Sequence, residues 1–563
     1  MKFGSFGVRN PIANGVRYGL MFVPLAFLLL FFFYPLMSIL GIGLWPDGKL
    51  DLSSFFEIIG QPYYLEILWF TFWQASLSTL LTLVFALPAA YVFTRYRFPG
   101  KSLLLSLSTL PFVLPTVIVA AAFSALLGDN GVINNLLVTL VPDSGIQMDL
   151  ERTLAIILIV HVFYNFAIAL RMITGYWANQ SYHIEEAARV LGAHGWSLWW
   201  YVRLPALRPA IVSAAVLVYI FTFTSFGVIL ILGGPQFATI EVEIYVQAVS
   251  LFDLPVASAL SVIQLLVMFG MITLYTRLQS NTTVDWQRAT QIARYPQRLG
   301  ERVFLALILI FMSVLLFMPL LALILRSFMS DGGFSFVNYT ALLENTRRSA
   351  LFVAPIEAVS NSLQFALVTM VIAVPLGVLA SYLLAVRRAR WYSILDPVFM
   401  LPLAASAVTL GFGFTIALDE PPVNLVSSWI VIPVAHTLVA MPFVVRSVLP
   451  ALRNISPSLR QSAAILGATP SRVWCRIDLP LISRGVLVGA TFAFTVSLGE
   501  FGASLFIFRA DLPTMPIAIF QLLGRPGFAN YGQAMALSVI LVAICSVSFI
   551  LLERIRIIGM GEF

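Results

Sequence analysis

Long apolar runs, each near the ~20 residues that a helix needs to cross a bilayer, alternate along this chain with short polar segments. They occur at approximately 19–41, 66–94, 103–127, 153–174, 209–232 and 256–278. After a polar, arginine-bearing linker over about 279–301 they resume at 302–326, 360–386, 394–418, 424–447, 485–508 and 531–553. The pattern predicts an all-α polytopic membrane protein with twelve spans in two sets of six. Two polar segments stand out against it. From Ser181 to Pro205 the chain is polar and basic, with Ser181 placed as an N-cap and Ile184, Ala187, Ala188 and Leu191 at i, i+3, i+4 and i+7. Gly192 sits where the helix should end. A second short helix is then expected to run to a Leu204-Pro205 stop. The same architecture returns 275 positions later, from Ser456 to Pro480, with Pro457 at N1 after its Ser456 cap.

Composition narrows the class. With 60% hydrophobic residues, 10% charged residues and a mean hydropathy of +0.94, a soluble protein of this length is excluded. The net charge of +7 follows the topology and gives no reason to expect nucleic acid. If the N-terminus is cytoplasmic, only Lys49, Arg152, Arg326, Arg347, Arg348, Arg509 and Arg525 of the 33 basic residues fall outside. The positive-inside rule therefore predicts both termini and both polar loops on the cytoplasmic side. The first apolar run is long and contains Pro24 and Pro35 without a small-residue cleavage site, so it is expected to be retained as a span. Cys475 and Cys545 make neither a disulfide framework nor a metal site.

The two sets of spans are a repeat. His161 and His436, Arg171 and Arg446, Gly192 and Gly467, Phe226-Gly227 and Phe501-Gly502, and Thr239 and Thr514 all stand at an offset of 275. Residues 1–278 and 302–563 are thus expected to be parallel halves, with any pathway at their interface. No phosphate-cradling motif is present, so ATP would be hydrolysed elsewhere. Nothing suggests an enzyme, a cofactor or a metal. Glu500, in S-L-G-E-F-G-A, lies inside an apolar run, where a carboxylate costs roughly 2.5–3.5 kcal/mol. It either lines a pathway or is satisfied by neighbours such as Ser497 or Thr222; its repeat partner is Ser225. Phe226-Gly227 and Phe501-Gly502 are candidate gate elements, with simple helix packing an equal account of them. His161 and His436 are candidate pathway residues, but their matched positions fit a helix-to-helix hydrogen bond equally well, and the structural reading is favoured for both. Pro111 and Pro115, with Pro397 and Pro402, are expected to bend the third span of each half.

Within the first polar loop, Glu186, Ala187, Ala188, Gly192, Val202, Leu204 and Pro205 form the pattern E-A-A, three residues, G, nine residues, V-x-L-P. It resembles the cytoplasmic coupling loop of type I, binding-protein-dependent ABC importer permeases. The second loop departs from it at Gln461 and Ser462 but keeps Ala463, Gly467, Ile477, Leu479 and Pro480. The resemblance implies that each loop's first helix, which in the first half also carries Glu185, docks on a separate ATPase subunit. It further implies two such subunits, an extracytoplasmic solute-binding protein, and a place in the bacterial plasma membrane. Closure of the ATPase pair would draw the loops together and swing the halves between inward-open and outward-open. Glu186 with Ala187-Ala188 would carry that motion on one side, Ala463 and Gly467 on the other. The fused arrangement is similar to thiamine and ferric iron permeases. Residues 225–245, F-W-Q-A at 72–75, R-F-P-G at 97–100 and H-V-F-Y-N at 161–165 look closest to thiamine permeases. S-L-G-E-F-G-A also resembles iron, molybdate and sulfate permeases. A cation-coupled secondary transporter using Glu500 would show the same hydropathy, and the duplicated loops argue against it.

Overall fold

A computed structural model of the chain describes residues 19, 22–45, 48–129, 131–140, 150–180, 183–234, 236–280, 293–330, 333–345, 351–386, 392–419 and 425–557. Among them, 11 helices are long and apolar enough to cross a membrane, and Leu395–Leu403 with Ala407–Ala417, joined at 93°, brings the number to 12. The described strand structure is one antiparallel pair, Met329–Ser330 with Gly333–Phe334.

In the first half, α1 (Phe22–Leu44), α2 (Pro62–Arg95), α3 (Thr116–Leu127) and α4 (Leu154–Ala178) lead to the candidate coupling helix α5 (His183–Val190). Then follow α6 (Gly195–Phe223), α7 (Gly227–Leu232), α8 (Ile240–Tyr245) and α9 (Leu254–Ser280). The second half repeats the order with α10 (Leu299–Ser327), α11 (Pro355–Val386), α12 (Tyr392–Ala404), α13 (Ala407–Ala417) and α14 (Val431–Arg453). It ends with the coupling helix α15 (Pro457–Ile465), then α16 (Pro470–Gly499), α17 (Gly502–Ile507), α18 (Met515–Leu523) and α19 (Phe528–Ile557).

Each half is built on a three-helix bundle, α2 with α4 and α6, and α11 with α14 and α16. Lipid supplies no hydrophobic drive between such helices, so close backbone approach through small residues has to hold them. Ala86, Ala89, Ala90, Ala169 and Ala214 are fully buried in the first bundle, and Ala373, Ala440 and Ala493 in the second. Gly377 has no room for a side chain: a Cβ there would lie 2.6 Å from Val444 Cβ. The first helix of each half lies on the other half. α1 packs against α13, where a Cβ at Gly413 would meet Pro35 and Ile39, and α10 packs against α3. The halves are therefore clasped together rather than set side by side.

Three expectations are corrected. Leu204-Pro205 and Leu479-Pro480 are not stops. The chain passes through them within α6 and α16 after π-type turns at Trp199–Arg203 and Trp474–Asp478. A proline has no N–H to give, and the widened turn accommodates the missing bond without ending the helix. Second, the apolar run 209–232 is two helices with a break at Thr224–Phe226, and 485–508 likewise breaks at Glu500-Phe501. Third, the third span does bend in each half, but only the first bend falls at a proline. Pro115 occupies the N-cap of α3 in an extended conformation, whereas Pro397 and Pro402 lie inside α12. The second bend comes at Ser406, whose Oγ accepts from Val408 N at 3.1 Å and Thr409 N at 3.3 Å.

Candidate functional site: the coupling loops and the central cavity

The two coupling loops have the same backbone. Gly192 and Gly467 adopt φ of +89° and +78°, a region that costs an L-residue about 1–2 kcal/mol. Space is not the constraint, because a Cβ at either would meet nothing within 4 Å. The left-handed turn lets Ala193 N donate to Ala188 O at 2.9 Å and Ala468 N to Ala463 O at 2.9 Å, closing both helices with the same motif. Ser456 caps α15, accepting from Ser458 N at 3.4 Å; Ser181 lies outside the described residues.

The apolar stripe of each candidate coupling helix is not covered by the other described residues. Val190 and Leu191 are both 87% exposed, and their repeat partners Ile465 and Leu466 are 85% and 86% exposed. Glu186, Ala187 and Gln461 are exposed as well, and Ala188 and Ala463 are half-buried. Large apolar residues thus stand exposed at equivalent tips of both loops, which is unusual for a surface facing only water.

The opposite side of each helix is latched to the base of the next span. Glu185 Oε1 accepts from Arg203 Nε at 2.9 Å and its Oε2 from Arg203 Nη2 at 3.0 Å; Arg189 Nη2 and Arg95 Nη1 stand 3.2 and 3.4 Å from Oε2. Burial pushes the Glu185 carboxyl up, but the Arg203 hydrogen bonds and the three guanidinium charges outweigh it and hold the group below its ordinary range. In the second half the same two positions carry the opposite charges: Arg460 Nε donates to Asp478 Oδ1 at 2.8 Å. The aromatic cradle is kept. Tyr91 and Trp199 meet edge to face at 5.9 Å beside Arg203, and Tyr382 and Trp474 meet edge to face at 5.3 Å. Of these charged residues the sequence reading named only Glu185 as functional; the offset of 275 that pairs Glu185 with Arg460 and Arg203 with Asp478 was the signal for the other three, and nothing in the repeat marked Arg95 or Arg189.

The helix breaks of the two halves meet at the centre of the molecule. Phe226 and Phe501 stack with ring centroids 5.7 Å apart and planes at 27°. Gly227 and Gly502 let these breaks close on the starts of α3 and α13: added Cβ atoms would lie 3.1 Å from Thr116 Cβ and 3.0 Å from Ala407 Cβ. His161 bridges Ser78 Oγ at 3.0 Å and Ser225 Oγ at 2.9 Å, while His436 bridges Ser497 Oγ at 2.7 Å and Ser504 Oγ at 2.8 Å. Both histidines thus make inter-element hydrogen bonds of the kind the structural reading expected, and His161 also lines the central cavity.

Glu500 is buried and caps α17. It accepts from Ala503 N at 2.8 Å, Ser504 N at 2.9 Å and Ser504 Oγ at 2.6 Å, with His436 Nε2 at 3.3 Å. Its partners are not Ser497 or Thr222, which bond to His436 and to Asn165 instead. A second carboxylate was missed by sequence reasoning. Glu241, on α8 in a segment between spans, is fully buried and accepts from Ser406 Oγ across the inter-half interface at 2.5 Å, and also from Gln264 Nε2. Both carboxylates line one cavity of about 390 Å³, which also includes Ser225, the Phe226-Gly227 and Phe501-Gly502 pairs, Tyr164 and Phe443. On the coupling-loop side of the stacked phenylalanines it is walled by Phe221, Val439, Phe492 and Thr495. No Lys or Arg lines it among the described residues.

Comparison with known proteins agrees with this architecture. The family described as "Binding-protein-dependent transport system inner membrane component" matches twice, at residues 82–283 and 373–556. The chain is 28% identical over 527 residues to the thiamine transport system permease protein ThiP of Escherichia coli, covering 91% of this chain and 93% of that one. The ThiP of Haemophilus influenzae is 26% identical, with 95% of each chain covered. A probable ABC transporter permease protein, y4fN of Sinorhizobium fredii, is 24% identical over 91% of each. The duplicated match, one copy in each clasped half, makes this protein a member of the binding-protein-dependent transport system inner membrane components: a fused, multi-pass inner-membrane ABC importer permease.

Proposed function

We propose that this permease imports a small organic cation, with thiamine the best fit, by alternating access driven from two ATPase subunits on its coupling loops. The observation that carries the substrate class is the lining of the central cavity: the buried carboxyl groups of Glu241 and Glu500 and the rings of Phe226, Phe501 and Tyr164, with no Lys or Arg among the described residues. Aromatic faces and carboxylates attract a flat cation. The same carboxylate charge repels a doubly charged anion such as molybdate or sulfate. The names of the relatives point the same way.

In the mechanism, the exposed pairs Val190-Leu191 and Ile465-Leu466 seat in the ATPase subunits, and Glu185–Arg203 and Arg460–Asp478 transmit the pull to α6 and α16. Those two helices end at the breaks that hold Phe226 and Phe501. Motion of the loops therefore reaches the stacked rings through rigid helices, and parting them would join the cavity to the far side, where a binding protein delivers solute. The driving free energy is the difference in nucleotide affinity between the two states. The test is copurification with the ATPase and binding protein, followed by assay of that protein against thiamine, thiamine phosphates and ferric iron. Tight binding of ferric iron alone would overturn the substrate class. Uptake that stops when the membrane potential is collapsed, with ATP maintained, would instead indicate a secondary transporter.

A further inference from the structure

A second cavity, of about 470 Å³, lies at the end of the bundle opposite the coupling loops. α4 starts beside it and runs toward the first coupling helix, and α10 ends in it at Arg326. Both halves build it: Glu151 and Arg152 come from the first, Arg326 and Arg525 from the second. Three of the seven basic residues that the topology left on the outer side thus converge in one place, facing two carboxylates, Asp129 and Glu151.

The site is built rather than a chance meeting of surface charges. Arg326 is only 7% exposed, and its guanidinium Nε and Nη2 have no hydrogen-bond partner. Its Nη1 reaches only the sulfur of Met329, at 3.9 Å. A buried guanidinium without an acceptor is costly, so the position makes sense when an acceptor arrives from outside. Arg152 is held with φ of 56°, in the left-handed region that is uncommon for a side-chain-bearing residue. Its stem lies flat on Gly234, where a Cβ would come within 3.2 Å of its Cγ and Cδ. Glu151 is occupied by Ser124 Oγ at 2.6 Å. The guanidinium of Arg326 faces the cavity from its base with open donors.

We propose that this cavity binds the phosphate group of a small molecule, with Arg326 at the floor and Arg152 at the mouth. Its facing the extracytoplasmic side rests on the importer reading; the binding itself does not. Guanidinium forks match phosphate oxygens, and the burial of Arg326 strengthens the contact.

The test is calorimetric titration of inorganic phosphate, and separately of phenyl phosphate, into the full-length permease in nanodiscs at constant ionic strength. ATPase subunits are left out because they bind phosphate themselves. Saturable binding is expected, weakened at least tenfold by Arg326→Gln and several-fold by Arg152→Gln. Arg509→Gln, an arginine paired with Asp511 outside the cavity, should change nothing. Binding of both probes would assign the site to phosphate esters as well as the free ion; binding of inorganic phosphate alone would restrict it to the ion. Absence of saturable binding at millimolar concentration, or binding indifferent to both variants, would overturn the proposal. So would variants that leave phosphate binding unchanged and weaken only capture of the binding protein, since the arginines would then dock a protein carboxylate. ATP-driven uptake is read separately, so the importer reading and this one can fail independently.

Discussion

Exchanging the charges of the second coupling-loop latch should rescue what either single change destroys. Arg460→Gln leaves Asp478, whose side chain is 3% exposed, without its partner. Stranding one member of a buried pair costs about 3–5 kcal/mol. Arg460 is itself 29% exposed, so the lower figure, about 3 kcal/mol, is the expected loss in holding α15 against α16. The exchange Arg460→Glu with Asp478→Arg recreates the polarity found at Glu185 and Arg203, and the Tyr382–Trp474 pair supplies the rings that flank Arg203 in the first half. A double-mutant cycle should return a coupling of about 1–3 kcal/mol. The first loop should behave differently. Arg95 and Arg189 surround position 185, whereas the repeat partner of Arg189 is Ala464. Glu185→Arg with Arg203→Asp would therefore set three guanidinium groups together and fail to rescue. The assay is solute-stimulated ATP hydrolysis by the reconstituted complex, with retention of the ATPase through size exclusion as a check on docking. A second-loop exchange as defective as its single changes, or equal rescue in both loops, would refute the reasoning.

Other consequences are simpler to test. Gly192→Val or Gly467→Val forces a branched side chain into a left-handed turn at a cost of about 1–2 kcal/mol, and should lower ATPase retention or uncouple hydrolysis from uptake; normal uptake in both would count against the coupling role. Because the Glu185 carboxyl is held below the ordinary glutamate value of 4.5, its contribution is complete above that value and is lost only as pH falls through the depressed one. Assembly with the ATPase should thus show no Glu185-dependent change between pH 6 and 8, while Glu185→Gln should be weaker throughout that interval. Glu500→Gln keeps one acceptor oxygen for the start of α17 but removes a charge from the central cavity. The KM for a cationic solute should rise about tenfold, equivalent to about 1.4 kcal/mol, and an unchanged KM would weaken the cation reading.

Run lengths and the 275-residue offset made most of this architecture legible in the sequence. Apolar length reports bilayer crossing directly, and a duplicated glycine after an amphipathic helix reports a left-handed cap. What stayed hidden depends on tertiary placement. Glu241 lies between two apolar runs and reads as an outer-loop charge; only the folding of α8 into the inter-half interface buries it. Leu204-Pro205 looks like a helix end because a π-type turn leaves no compositional mark. Ser406 bends the second half where proline was the obvious candidate, because a hydroxyl cap satisfies the exposed N–H groups equally well. The reversed charges of the latches look ordinary singly and gain meaning only when the halves are superposed.

The most direct measurement places single cysteines at Leu191 and Leu466 in a chain lacking Cys475 and Cys545. Each should cross-link to an ATPase subunit and stay shielded from a membrane-impermeant thiol reagent added outside intact cells. Labelling from outside, or failure of both positions to reach an ATPase, would contradict the account.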